Sequence, residues 1–353
     1  MSNTPDTPCH FATSPSRHPP APSALPPSEE GGYGRLFENF DFCTEKTPSS
    51  EGGSGSRREA QGVYGVIQSS NGGSYAVLTE QGAFACRARG LFRKQGITPL
   101  TGDHVMIELV ENSGSEKIDI EGYILEILPR KNELGRPPLA NLDQLFLLCS
   151  TVAPRPNLRL LDSLVATAEL AGIEPIVIFT KCDISGGENY AKIYGAFKRF
   201  AVSFDSDCGI REIAALLAGK MSAFCGNTGV GKSTLLNRIA PALHLPTGEI
   251  SAKLGRGRHT TRLVELFPVA GGWVADTPGF SSFEAERLTK DNLASCFREF
   301  ARYAQGCKFH DCAHVKDSGC AVVDAVGAGE IPWSRHESYC ALYDVLKEKK
   351  EWE

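Results

Sequence analysis

Residues 226–233 read GNTGVGKS, a complete G-x-x-x-x-G-K-[ST] pattern between the apolar run MSAFC and the helical pattern STLLNRIA. It restricts the fold more than any other feature, because a glycine-rich loop between a strand and a helix can turn consecutive backbone N–H groups inward around phosphate oxygens. Glycine suits Gly226, Gly229 and Gly231, where the chain must turn tightly. A helix starting at Lys232 adds the positive end of its dipole. Lys232 is expected to reach the β- and γ-phosphates, and the Ser233 hydroxyl to coordinate Mg²⁺.

Two more segments fit the same site. WVADTPGF places Asp276 at the end of an apolar strand, where it can hold Mg²⁺ through water, and Gly279 where its N–H can meet a γ-phosphate. TKCD at 180–183 follows the apolar run PIVIF and resembles the [NT]-K-x-D signature of GTPases, whose aspartate accepts hydrogen bonds from N1–H and the 2-amino group of guanine. Adenine lacks that donor pair, so Asp183 is expected to select guanine as an otherwise unpaired buried carboxylate. Thr180 stands where asparagine is commoner, and the loop around Ser203 can offer backbone N–H to the guanine oxygen. The base-reading segment precedes the phosphate loop, the reverse of the usual order. Every βα loop of a parallel sheet opens at the same edge, so one site can survive such a cut and rejoining. The order predicts a circularly permuted G domain.

Between the two phosphate-facing segments lies GRGRHTT. Thr260 or Thr261 is available to close over Mg²⁺, Thr261 being preferred. Phe280 follows DTPG where many GTPases carry a water-orienting glutamine, so His259 is the candidate for that task.

The chain has 353 residues, enough for two or three domains, and its 41% hydrophobic and 22% charged residues suit a sizeable core. Residues 1–58 are Pro-, Ser- and Gly-rich and read as a disordered tail. Residues 59–130 hold five short β-like runs separated by turn signals, the size and spacing of an OB-fold or another small barrel. Residues 131–140, with two adjacent prolines, read as a linker. Residues 141–283 alternate apolar runs with helical ones, as a parallel sheet covered by helices would, and RLVELFPVAGGWVADT reads as a hairpin.

Residues 284–353 are helical around GCKFHDCAHVKDSGC, which spaces Cys307, Cys312, His314 and Cys320 as C-x4-C-x-H-x5-C. That set suits one closed, structural Zn²⁺, with His310 as the alternative imidazole, and predicts that metal binding and folding are coupled. The other nine of the 12 cysteines stand singly, often in apolar runs such as those of Cys86, Cys149, Cys182 and Cys225, as buried free thiols do. The net charge of −5 does not point to nucleic acid, so such a partner needs a local patch, for which Arg87, Arg89, Phe92, Arg93 and Lys94 are candidates. No membrane-spanning or secretory pattern is visible, so a cytoplasmic chain and no membrane partner are expected.

RPPLANLDQ, TKCD, GNTGVGKSTLLN, GRGRHTT, DTPGF and the Cys/His cluster occur together and in this order across about residues 61–345. In this the chain resembles the small-ribosomal-subunit-dependent GTPases of bacteria, circularly permuted G proteins of ribosome biogenesis. The resemblance implies an OB-fold, a permuted P-loop GTPase domain and a helical zinc-binding domain, in a multidomain α/β architecture. It implies a GTP-hydrolysing enzyme that assists late maturation of the 30S subunit, binds its 16S rRNA and is stimulated by it. Carried over onto this chain are Thr180, Lys181 and Asp183 for guanine; Gly226, Asn227, Thr228, Gly229, Val230, Gly231, Lys232, Ser233 and Thr234 for phosphates and Mg²⁺; and Cys307, Cys312, His314 and Cys320 for zinc. A monomer exchanging GTP and GDP is the default expectation. An ATPase or metallochaperone, and a non-enzymatic RNA-binding factor with a vestigial P-loop, are the competing readings; Asp183 and the permuted order weigh against the former, and Lys232, Ser233 and Asp276 against the latter.

Overall fold

The five β-like runs after residue 61 become five strands of a computed structural model that describes residues 62–110, 120–241, 264–276 and 287–348. The tail at 1–58 lies outside the described residues. β1 (Val63–Asn71), β2 (Ser74–Thr79) and β3 (Gly82–Ala88) form an antiparallel meander, and β5 (Gly122–Ile127) pairs parallel to β3 and antiparallel to β4 (His104–Leu109). β4 then returns to the first half of β1, from Val63↔Ile107 to Val66↔His104, and closes a five-stranded barrel. At Gly65 a Cβ atom would lie 2.6 Å from Val77 Cγ1, so the absence of a side chain lets the strands close. Inward positions Ile67, Val77, Cys86, Val105, Ile107 and Ile124 fill the interior.

Helix α1 (Gly90–Lys94) corrects one expectation. Phe92 is only 7% exposed and belongs to the barrel core, so it is not a surface for stacking bases. A five-residue helix over an open barrel end must turn one apolar residue inward, and Phe92 is that residue; Arg87, Arg89, Arg93 and Lys94 stay exposed.

Residues 131–140 are also more ordered than a linker. They carry a short antiparallel pair, β6 (Glu133–Leu134) and β7 (Leu139–Ala140), with Leu134, Leu139 and Ala140 buried. Both prolines sit in the intervening turn, where no ladder N–H is required. Side-chain amides supply the missing pairing: Asn132 Nδ2 donates to the Leu142 carbonyl at 2.7 Å, and Asn141 Nδ2 to that of Gly102 at 2.9 Å. Arg130 forks onto the buried Asp103 carboxylate at 2.7 and 2.8 Å, fixing the segment to the barrel.

The continuous apolar runs then build a parallel sheet. β8 (Gln144–Ser150), β9 (Glu174–Thr180), β10 (Lys198–Ala201), β11 (Met221–Gly226), β12 (Glu265–Val269) and β13 (Gly272–Asp276) lie in the order β10-β9-β8-β11-β13-β12. Only β12 is antiparallel, the hairpin partner of β13 across Ala270 and Gly271. Alternation sorts side chains to two covered faces. Leu145, Leu147 and Cys149 of β8 point toward α2 (Leu158–Leu170) and α3 (Glu188–Ile193); Phe146 and Leu148 point toward α4 (Ile210–Leu217) and α5 (Lys232–Ile239). β1 pairs with β12 at Ser69↔Glu265, and Gln68 Nε2 donates to the Leu266 carbonyl at 3.1 Å, joining barrel and sheet.

Beyond residue 287 the chain packs short 3₁₀ turns and helices α6 (Ala301–Ala304), α7 (Ala321–Gly327) and α8 (Trp333–Glu348) around Phe297, Phe300, Ile331 and Tyr339. Ala166 and Leu170 of α2 belong to that same core. No helix among the described residues is long and apolar enough to cross a membrane.

Candidate functional site

At Gly226, the last residue of β11, an added Cβ would stand 2.8 Å from the Leu148 carbonyl oxygen and 2.9 Å from Val230 Cγ2. The loop therefore starts pressed against β8. Gly229 (φ 81°) and Gly231 (φ 99°) lie in the left-handed region, which side chains resist. At Gly231 a Cβ would also meet the Phe204 ring at 2.8 Å. Asn227, Lys232, Ser233 and Thr234 are half-buried and Thr228 exposed, while Val230 is buried beneath the loop. The Leu235 N–H bonds to the Gly231 carbonyl at 2.9 Å, so α5 begins directly from the loop with its first N–H groups pointing at the space above it.

The TKCD segment opens from the end of β9, two strands away across β8. Thr180 is fully buried, and its hydroxyl donates to the Val230 carbonyl at 2.6 Å. A hydroxyl has a single proton to donate, and here it joins the base-reading loop to the phosphate loop. Thr151, which no sequence pattern had marked, completes the junction: its N–H reaches the Thr180 carbonyl at 3.0 Å and its hydroxyl the Lys181 carbonyl at 3.0 Å. Lys181 has φ 61° and points its ammonium to the Ala153 carbonyl.

Asp183 corrects the sequence reading. Its carboxylate is exposed rather than buried, standing at the surface of the loop. The loop follows the carboxyl end of β9, beyond the sheet edge.

Ser203 is buried at 5% exposure, and its Oγ accepts from the Ser206 N–H at 3.3 Å. The Cys182 N–H bonds to the Val202 carbonyl at 3.2 Å, so this loop lies beside TKCD. Arg238 of α5 donates to the Phe204 carbonyl at 3.0 Å and pairs with Asp207. Three loops far apart in the chain thus share one edge. A cleft runs beside the phosphate loop, walled by Pro154, Arg155, Asn157 and Leu161 facing Gly226 and Asn227. Asn157 caps α2, its Oδ1 accepting from the Leu160 N–H at 3.0 Å.

Asp276 ends β13, next but one to β8 on the same edge. His259, Thr260, Thr261, Gly279 and Phe280 lie outside the described residues. Cys225, immediately before the phosphate loop, is buried, and burial pushes its thiol up to about 12; Cys86 and Cys149 are likewise buried and raised to about 11, while Cys182 is half-buried. The buried three are packing thiols rather than nucleophiles.

In the C-terminal region the ligating atoms of Cys307, Cys312, His314 and Cys320 all lie within 4.8 Å of one another. His314 Nδ1 is 3.5 Å from Cys307 Sγ and 3.4 Å from Cys320 Sγ, and the two sulfurs are 3.9 Å apart. A tetrahedral ion with metal–sulfur bonds of about 2.3 Å spaces its ligands by about 3.8 Å, so the four side chains fit a metal. His310 is exposed and outside the cluster. Burial lowers the His314 pKa, favouring the neutral ring that ligates. The next shell comes from α8: His336 bonds to the His314 carbonyl at 2.8 Å, and the Tyr339 hydroxyl donates to that of Ala313 at 2.7 Å.

Comparison with known proteins agrees with this geometry. The RsgA GTPase family model matches residues 127–286, and the RsgA N-terminal domain model residues 64–116. Two proteins named small ribosomal subunit biogenesis GTPase RsgA are each 44% identical to this chain. The one from Geobacillus kaustophilus aligns over 81% of this chain and 98% of its own length, and the one from Caldanaerobacter subterraneus subsp. tengcongensis over 82% and 97%. The crystal structure of YjeQ from Thermotoga maritima matches with TM-score 0.69 and 30% identity, over 82% of this chain and 100% of that one. The crystal structure of YloQ, described as a circularly permuted GTPase, matches with TM-score 0.66 and 34% identity, over 84% and 99%.

Proposed function

This chain belongs to the RsgA GTPase family and is a GTP hydrolase of ribosome biogenesis, and from that premise we propose that GTP sits across the three loops at the carboxyl edge of its sheet. The observation that carries the reading is the Thr180–Val230 bond, which ties the TKCD and GNTGVGKS loops to each other. On this reading Asp183 accepts both guanine donors, Lys181 lies alongside, and backbone near Ser203 meets the guanine oxygen.

The backbone from Gly226 to Thr234 surrounds the phosphates, and the Lys232 ammonium offsets charge on the β- and γ-oxygens as water attacks the γ-phosphorus and its bond to the bridging oxygen of the leaving GDP breaks. Mg²⁺, held by Ser233, Asp276 and Thr261, supplies further charge neutralisation there when bound. The Gly279 N–H meets the γ-phosphate. His259 positions the attacking water, because the Phe280 side chain has no polar group for that task.

Zinc is the metal that best suits three cysteines and one histidine in a closed set, and its role is to hold the loop 307–320 on α8. The partner is the small ribosomal subunit with its 16S rRNA, met by the exposed Arg87, Arg89, Arg93 and Lys94 of the barrel and by the C-terminal region. The chain acts as a cytoplasmic monomer, and contact with the subunit stimulates its hydrolysis of GTP.

GTP and ATP hydrolysis, measured with and without purified small subunits at matched salt, tests this. Stimulation confined to GTP is the expected result. Equal use of ATP overturns the guanine assignment, and turnover indifferent to the subunit overturns the partner.

A further inference from the structure

Outside the nucleotide and metal sites, the Arg335 guanidinium of α8 is fully buried, its side chain 0% exposed. Nη1 donates to Asp162 Oδ1 of α2 at 2.6 Å, and Nε and Nη2 donate to the two Glu299 oxygens at 2.5 and 3.3 Å. The Tyr194 hydroxyl, at the end of α3, donates to the same Asp162 oxygen at 2.6 Å. Aromatic rings close the remaining sides, with the guanidinium carbon 4.5 Å from the Phe297 centroid and 5.4 Å from those of Tyr194 and Phe197. Burial alone would lower the Arg335 pKa, but Asp162 and Glu299 hold it above its ordinary value, so the group stays charged.

Both helices joined at Asp162 leave the nucleotide edge of the sheet. α2 follows loop 151–157 and walls the cleft beside Gly226 and Asn227 with Leu160, Leu161 and Leu164. α3 follows the TKCD loop, and its end at Tyr194 is fully buried. Two neighbours of Arg335 on α8, His336 and Tyr339, hold the backbone of the metal loop. One carboxylate therefore collects the helix behind the phosphate-loop wall, the helix behind the base loop and the helix behind the metal loop.

We propose that Arg335, from the C-terminal region, is a positioning residue for the guanine nucleotide, holding α2 and α3 in register through Asp162 so that the base loop and the phosphate-loop wall keep their spacing. The proposal rests on the guanine reading above. By linkage, whatever displaces α8 weakens nucleotide binding, and nucleotide resists that displacement to the same degree.

The test titrates fluorescent GDP and GTP analogues against the full-length, metal-loaded chain and its Y194F and R335K variants. Y194F removes one hydroxyl and leaves the ion pair intact, so it remains decisive if R335K does not fold. Network residues that touch neither ligand typically shift coupling by about threefold to thirtyfold in Kd. The expected result is a rise of about threefold or more for both nucleotides in Y194F, larger in R335K. KM for GTP should rise with Kd while kcat at saturation stays unchanged, and the thiolate absorption of the Co²⁺-substituted cluster should match that of the wild type. A purely architectural Tyr194–Asp162 bond would leave Kd and KM unmoved, and wild-type values in Y194F overturn the proposal. Wild-type protein that binds no guanine nucleotide overturns the functional reading itself and this inference with it.

Discussion

Replacing Thr180 with valine removes one hydroxyl and keeps the shape of the side chain. Thr180 is 0% exposed and Val230 3%, so the Val230 carbonyl that loses its 2.6 Å donor faces no water. Leaving a buried acceptor unsatisfied costs about 1–3 kcal/mol. At about 2–4 °C of midpoint per kcal/mol, T180V should melt about 2–12 °C lower without nucleotide. The carbonyl belongs to the phosphate loop, so GDP should also bind roughly tenfold more weakly. Differential scanning fluorimetry of the nucleotide-free protein and titration calorimetry with GDP measure the two effects, with T180S as the control that restores the hydroxyl. A threonine acting only on guanine would lose GDP affinity in T180V while the nucleotide-free midpoint stayed put. That result, or both quantities matching the wild type, would refute the assignment of Thr180 as the tie between loops.

Asp183→Asn exchanges one of two acceptors for a donor opposite two guanine donors; the lost charged bond is worth about 1.5–3 kcal/mol, so GTP affinity should fall about tenfold to a hundredfold or more. Xanthosine triphosphate should bind D183N better than GTP does, and undiminished GTP binding in a filter assay would remove Asp183 from the base site. Cys312→Ser, or chelation, should expose amides of 287–348 to hydrogen exchange while β8–β11 keep their protection. Unchanged protection would mean that Phe297, Phe300 and Tyr339 hold the region without metal. His104, bonded to the Tyr64 hydroxyl, is lowered from 6.5, chiefly by burial and against the pull of Asp103 and Asp143. Between the folded and unfolded values the unfolded chain binds more protons, so its contribution to stability is complete above pH 6.5 and is lost as pH falls below it. Urea unfolding at about pH 7.5 and about pH 5 should show this loss, and H104Q should flatten it.

The features legible in the sequence are those that a few consecutive residues determine. A strand, a glycine, four variable positions and Gly-Lys-Ser oblige the chain to turn and start a helix, because only glycine readily adopts the dihedral angles of Gly229 and Gly231. Continuous apolar runs announce β8, β9 and β11, and the reversed order of TKCD and GNTGVGKS announces the permutation, since parallel strands bring their following loops to one edge whatever the connectivity. The four metal-ligating side chains fall within 14 residues, so short-range geometry gathers them. Tertiary structure decided the rest. It put Phe92 inside the barrel, folded 131–140 through amides reaching outside that segment, left His310 in solvent and Asp183 uncovered. It also gave the Thr180 hydroxyl a carbonyl 50 residues away, and Arg335 a carboxylate 173 residues away. Periodicity reports which side of an element is buried but not which distant group it will face. Those partners depend on how the sheet is ordered and on which helix lies across it, and that choice is made only when whole surfaces pack.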